Sequence, residues 1–264
     1  MTWIADKLQV NIPFTMLYES YLDRFIEYRI NPEIGFDAMA LDRYSLSDVE
    51  TVADKINNHG LSVTLHAPFM DISPGSPDPM IRGVCRNRFE KLLQFITPLR
   101  PKSIVFHSGY DEKRYWHIKE EWMKKSLEIW LEIIESVRDK GTMMMIENVF
   151  EHSPYDLKIL FEKLRSKETG FCLDTGHQQV FSRTSIEDWV DILGPFIGQL
   201  HLHDNNGVRD EHLALGRGII DFRVLFEKLS TIRETPPIVT LEPHKEEDLW
   251  PSIVYLEEIW PWQP

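Results

Sequence analysis

Short, nearly continuous apolar runs alternate along the chain with stretches whose apolar positions recur three and four residues apart. Eight of the runs read as strands: LQVNIPF (8–14), EIGFDAMAL (33–41), LSVTLHAP (61–68), KSIVFHSG (102–109), MMMIENVF (143–150), GFCLD (170–174), IGQLHLHD (197–204) and PIVTLEPH (237–244). Each is followed by a helical pattern. The clearest carries Ile118, Trp122, Ile129, Ile133 and Val137 on one stripe and stops at Gly141. Helix starts are marked by Ser47 with Glu50, by Ser153-Pro154, and by Thr184 with Glu187. Gly60 suits a left-handed helix end.

Strands that are apolar throughout and alternate with helices predict a parallel sheet covered on both faces. Eight such units suit a (β/α)8 TIM barrel. A doubly wound open sheet is the competing arrangement, but no glycine-rich phosphate loop follows the first strand. No linker or low-complexity stretch divides the chain, so residues 1–264 are expected to form a single domain.

Composition narrows the function classes. The 29 basic and 42 acidic residues give a net charge of −13, which repels nucleic acid and anionic membranes as a whole. The two cysteines, Cys85 and Cys172, sit in apolar segments and read as buried thiols rather than a disulfide. The start, MTWIADKLQV, lacks the features of a signal peptide, and no apolar run reaches the ~18 residues of a membrane span. A cytoplasmic location is expected. The aromatic end WPSIVYLEEIWPW reads as packing or a subunit contact, which leaves a homo-oligomer open.

The predicted strand ends are unusually polar. They carry His66, His107, Glu147, Asp174 with His177 just beyond, His201 with His203, and Glu242; the loop after the seventh adds Asp210 and His212. In a parallel barrel all of these open on one face, where active sites of that architecture lie. Taken singly, each has an ordinary explanation: a histidine satisfied in the core, or a helix cap for Asp174 and Asp204. Taken together, four carboxylates converging without a matching rim of lysine or arginine would repel one another. A divalent cation resolves that conflict, and mixed imidazole and carboxylate donors suit Zn or Mn. The spacing of two between His201 and His203 puts both on one strand face, so it does not say which is a ligand. His152 and His244 lie beside the rim without clear partners, and His59 and His117 read as surface residues.

In this order, HAPF, FHSG, IEN, CLDTGH, LHLHD, DEHLALG and LEPH resemble the xylose isomerase-like TIM-barrel superfamily, over about residues 61–244. That group contains sugar isomerases and epimerases and the DNA-repair enzyme endonuclease IV. Resemblance to the epimerases implies one metal held by Glu147, Asp174, His201 and Glu242. The two glutamates then also serve as catalytic acid and base, and His177 contacts the sugar. Resemblance to endonuclease IV implies up to three zinc ions. His66, His107 and Glu147 hold the first; Glu147, Asp174, His201 and Glu242 the second; His177, Asp210 and His212 the third. The chain departs from the nuclease where DNA is handled, with Phe69 and Asp71 after the third strand, Gly176 before His177, and the short loop Asn205–Arg209. The expectation is therefore a metal-dependent isomerase or epimerase of a sugar or sugar phosphate, using one to three ions, with Arg217 of LGRG as a further substrate contact. Phosphodiester cleavage in abasic DNA is the alternative, and the only one with a nucleic-acid partner. A non-catalytic metal-binding barrel ranks last, because the acid/base glutamates are present.

Overall fold

In the computed structural model, which describes residues 3–164 and 168–262, the strands close into one parallel barrel in sequence order, β1 to β8. They are β1 Gln9–Pro13, β2 Asn31–Gly35, β3 Thr64–His66, β4 Ser103–His107, β5 Met143–Glu147, β6 Thr169–Asp174, β7 Ile197–Leu202 and β8 Ile238–Leu241. Helices cover the outside. Among the described residues, no helix is long and apolar enough to cross a membrane.

The two faces of each strand explain why the runs read as continuously apolar. Outward residues such as Ile104, Phe106, Met144, Ile146, Phe171, Leu173, Leu200 and Leu202 join the main core beneath the helices. There they meet Phe89, Trp130, Leu160, Trp189 and Phe226. Fully burying a side chain of this kind is worth roughly 1.5–3 kcal/mol. Inward residues are of mixed character. Val105, Met145 and Cys172 form a small apolar cluster on one side of the barrel. Gln9, Glu33, Thr64, Ser103, Gln199 and Thr240 are all buried as well. Because side chains alternate, the same parity that turns Val105, Met145 and Cys172 inward also turns His107, Glu147 and Asp174 inward, one pleat higher.

Cys85 and Cys172 are free and buried. Gly60 has φ 68°, the left-handed helix end expected of it. Three local expectations need correction. The second strand does not run to residue 41: Asp37 accepts a hydrogen bond from Ala40 N at 2.6 Å and starts the helix Ala38–Arg43. The next helix, Leu46–Asn58, is capped by Ser45 and Asp48 rather than Ser47 and Glu50. Ser45 N donates to Asp48 Oδ2 at 2.8 Å, while Ser47 is already inside the helix, its carbonyl taking the Thr51 hydroxyl. Likewise Ser185 with Asp188 caps Ile186–Leu193, because the Thr184 carbonyl is engaged by Gln178 Nε2.

Candidate metal centre

The carboxyl ends of the strands form the floor of a pocket of about 460 Å³. Glu147, at the end of β5 and 1% exposed, is its hub. One oxygen, Oε2, lies 3.2 Å from His66 Nε2, 3.4 Å from His107 Nε2 and 3.5 Å from His201 Nδ1. The other, Oε1, is 3.2 Å from His177 Nδ1. Glu242, just past β8, reaches His201 Nδ1 at 3.1 Å through Oε1. Asp210 Oδ2 lies 3.4 Å from His177 Nε2 and 3.2 Å from His212 Nε2. All nine residues of the expected set thus meet in one place. Arg217 does not join them: it is exposed and absent from the pocket wall.

Asp174 is the helix cap expected of it, and its other oxygen faces the rim. Its Oδ1 accepts from His177 N at 2.6 Å and caps the helix Thr175–Phe181. Its Oδ2 is turned toward the rim, 3.2 Å from His203 Nε2. Asn148 fixes this strand end by pairing with the Asp174 main chain in both directions, each bond 2.9 Å.

Most of the histidines share a design. One ring nitrogen donates to a main-chain carbonyl or a buried carboxylate, so the other is turned inward. His66 Nδ1 donates to Ala67 O at 2.9 Å, His177 Nδ1 to Asn148 O at 3.0 Å and His212 Nδ1 to Glu242 O at 3.0 Å. His201 uses Nε2, 3.0 Å from Glu33 Oε1. Its Nδ1, fully buried between Glu147 and Glu242, has no hydrogen-bond partner among the described residues. Metal-ligating histidines are typically held in this way at their outer nitrogen.

Glu33 is a site residue that the sequence pattern does not single out. It is 0% exposed and lies on the inward face of β2, beneath His201. Besides His201 it accepts from Asn11 Nδ2, Thr64 Oγ1, Gln199 Nε2 and Thr240 Oγ1. The available signal was parity: Asn31, Glu33 and Gly35 alternate with Pro32, Ile34 and Phe36. Starting the strand at Glu33 hid it.

The electrostatics are those of donors packed together. Burial opposes charge on His201, yet Cys172, Glu33, Glu242 and Glu147 around it raise its pKa well above the imidazole range. Burial likewise pushes Glu147 up, but His107 and His201 drive it well below the usual carboxylate value. Burial would lower His212, and Asp210 and Glu242 instead raise it to about 9. Several sets of three donor atoms lie within 4.8 Å of one another, among them His66–His107–Glu147, Glu147–Asp174–His201, Glu33–His201–Glu242 and His203–Asp210–His212. These groups can hold a metal ion, and the inward, unpartnered Nδ1 of His201 fits that use.

Residues 32–259 match the family model described as xylose isomerase-like TIM barrel. The chain belongs to that family. A relative within reach is the uncharacterized protein MJ1614 of Methanocaldococcus jannaschii, 30% identical over 207 residues, 76% of this chain and 79% of that protein. Among solved structures, the TTHB071 protein of Thermus thermophilus, soaked with zinc chloride, superposes with a TM-score of 0.81 at 25% identity. The match covers 96% of this chain and 97% of that one. A D-tagatose 3-epimerase-like protein gives 0.79 at 24% identity, covering 96% of each chain. At that identity the likeness concerns the fold alone.

The remaining histidines sort by burial. His59 and His117 are exposed, and His152 pairs with Glu112 and is not among the residues lining the pocket. His244 is exposed but stacks on His212, ring centroids 3.7 Å apart.

Proposed function

We propose that the chain is a metal-dependent isomerase or epimerase of an uncharged sugar or polyol. One divalent cation, Zn or Mn, would be held by Glu147, Asp174, His201 and Glu242. The observation that carries this reading is the placement of Glu147 and Glu242 on either side of His201 Nδ1, at 3.5 and 3.1 Å, on the pocket floor. A bound divalent cation supplies Lewis acidity there, making a C–H beside a carbonyl easier to deprotonate.

Glu147 and Glu242 rise from β5 and β8, three strands apart around the closed ring, so they flank whatever lies between them. One carboxylate takes the proton from the substrate carbon, and the other returns a proton to its opposite face. The pocket wall supports a neutral substrate. Apolar surface comes from Phe14, Phe36, Phe69 and Pro243, and polar groups from Asn11, Thr15 and Asp37; no lysine or arginine is among the lining residues. Phe69 stacks on His107, centroids 4.6 Å apart.

The test is solvent deuterium incorporation, followed by NMR, across a panel of ketoses. Exchange at a carbon-bound position is expected, and both Glu147→Gln and Glu242→Gln should abolish it. No exchange with any sugar, together with nicking of abasic DNA by the same preparation, would establish the phosphodiesterase alternative instead.

A further inference from the structure

The pocket wall is divided by chemistry. From β4 round to β8, the strand ends and loops contribute imidazoles and carboxylates, with Pro243 as the one apolar residue among those lining the pocket. The side from β1 to β3 is built mainly from Pro13, Phe14, Gly35, Phe36, Ala67 and Phe69. Its carboxylate, Asp37, is tied down as a helix cap, Oδ1 accepting from Ala40 N at 2.6 Å.

This apolar side is stiff. Phe14 stacks on Phe36 with ring centroids 4.7 Å apart and meets Tyr44 edge-on at 5.0 Å, while Phe36 packs on Phe95 at 5.0 Å. Rings interlocked in this way do not fold inward to cover the surface they present. Phe69, at the same wall, rests on His107 and is still 46% exposed.

Gly35 is an independent mark of a ligand here. It ends β2 on the inward parity of Asn31 and Glu33, is only partly buried and lines the pocket. Its backbone does not require glycine, because its φ is not positive. Crowding does not require it either: a Cβ would meet Ile12 O at 3.8 Å and Pro13 Cα at 3.9 Å, ordinary contacts. Glycine weakens a strand, and where nothing in the fold demands it, it marks a place that a ligand approaches closely.

We propose that the β1–β3 wall is a subsite for an uncharged apolar group, so that the substrate is a ketose carrying an alkyl or aryl substituent rather than a free sugar. The hydroxylated, reacting end lies between Glu147 and Glu242, and the apolar group lies against Gly35 and Phe69. The reacting end rests on the isomerase reading; the apolar subsite is read by binding alone. Contact with such a group covers the exposed aromatic surface, which the hydroxyls of a free sugar would leave poorly matched.

The experiment is titration calorimetry of the zinc-reconstituted full chain with a panel of ketohexoses, each as its terminal O-methyl and O-benzyl ether. A benzyl ether is expected to bind about tenfold or more tightly than its methyl counterpart, since even one methylene in an apolar pocket is worth that much. Gly35→Val puts a strand-favouring side chain into the free space, so it should hold the melting temperature and cut the advantage to under about twofold. Phe69→Ser, at an exposed position, should reduce the advantage as well. If the valine costs the fold, Gly35→Ala and Phe69→Ser carry the test. Equal binding of the two ethers, or binding of neither, overturns the proposal, as does an advantage that survives the substitutions. The isomerase reading fails on a separate readout, the absence of deuterium exchange from every sugar of the panel, so the two failures are told apart.

Discussion

Replacing Glu33 by glutamine tests whether the carboxylate beneath His201 prepares its metal-facing nitrogen. Oε2 of Glu33 accepts from Thr64 Oγ1 at 2.9 Å, Gln199 Nε2 at 2.6 Å and Thr240 Oγ1 at 3.0 Å. Oε1 accepts from Asn11 Nδ2 at 3.2 Å and faces His201 Nε2 at 3.0 Å. Every partner is a donor, so an amide must turn its NH2 toward at least one of them. If the NH2 replaces Oε2, the two threonine hydroxyls can rotate to accept, Gln199 must flip its own amide, and His201 keeps a neutral partner. The charge-assisted bond is then exchanged for a neutral one, a loss of about 1–2 kcal/mol and hence roughly tenfold in affinity. If the NH2 replaces Oε1, His201 must move its proton to Nδ1, the nitrogen between Glu147 and Glu242, and the loss is larger. Zinc affinity should therefore fall about ten- to a hundredfold, the range seen when such supporting partners are removed. Competition with a chromophoric chelator measures it, with circular dichroism to confirm the fold. A change under about twofold in a folded variant would show that Glu33 does not prepare His201 for a metal.

Three further outcomes follow from the same geometry. Glu151, 2% exposed and hydrogen-bonded to Ser108 and Val149 N, is pushed up by burial to about 7. A carboxyl raised in the fold gives stability that is full below its unfolded value and lost as pH rises through 7. Glu151→Gln should therefore gain up to about 3 kcal/mol relative to wild type between pH 5 and pH 8 in urea unfolding; a pH-independent difference would contradict it. His212, raised to about 9, is protonated at neutral pH and must release its proton to bind a metal. Zinc affinity should climb with pH toward 9, with proton release visible calorimetrically as a dependence of the heat on buffer. Asp204 gathers the main-chain N–H groups of Asn205, Gly216, Gly218 and Ile220, shaping the loop that carries Asp210 and His212. Asp204→Ala should cost several of these bonds at about 1 kcal/mol or more each, and speed limited proteolysis between residues 205 and 220.

Much of the fold was legible because its signals are local. Apolar runs and helical stripes identified all eight units, and glycine marked helix ends. The misread caps show where local information is degenerate. Ser45-Leu46-Ser47-Asp48-Val49-Glu50 contains two overlapping serine-to-acid pairs, and Thr184-Ser185 with Glu187-Asp188 repeats the ambiguity. What decides is which residue stays extended, with φ −84° and ψ 167° at Ser45. The site residues at strand ends were found by position alone. Their roles were not, because each depends on partners distant in sequence. His201 lies within β7 and His203 just past its end, one anchored by Glu33 and the other by Asp174.

The anchors also explain why this face of a barrel can hold so many donors at all. Imidazoles and carboxylates crowded into one small volume would rearrange freely if each side chain could choose its partner. Here His66 and His177 are tied to the carbonyls of Ala67 and Asn148, groups freed where strands end and no longer pair onward. His212 is tied to the Glu242 carbonyl in the same way. His201 and His203 reach buried carboxylates instead, and Glu33 and Asp174 are themselves held, Glu33 by the polar layer inside the barrel and Asp174 by its helix. Ring orientation is thus set by the scaffold before any ligand arrives, and the inward nitrogens converge without choice. The rings are oriented in advance, so a cation that enters displaces protons from them and needs little rearrangement to bind.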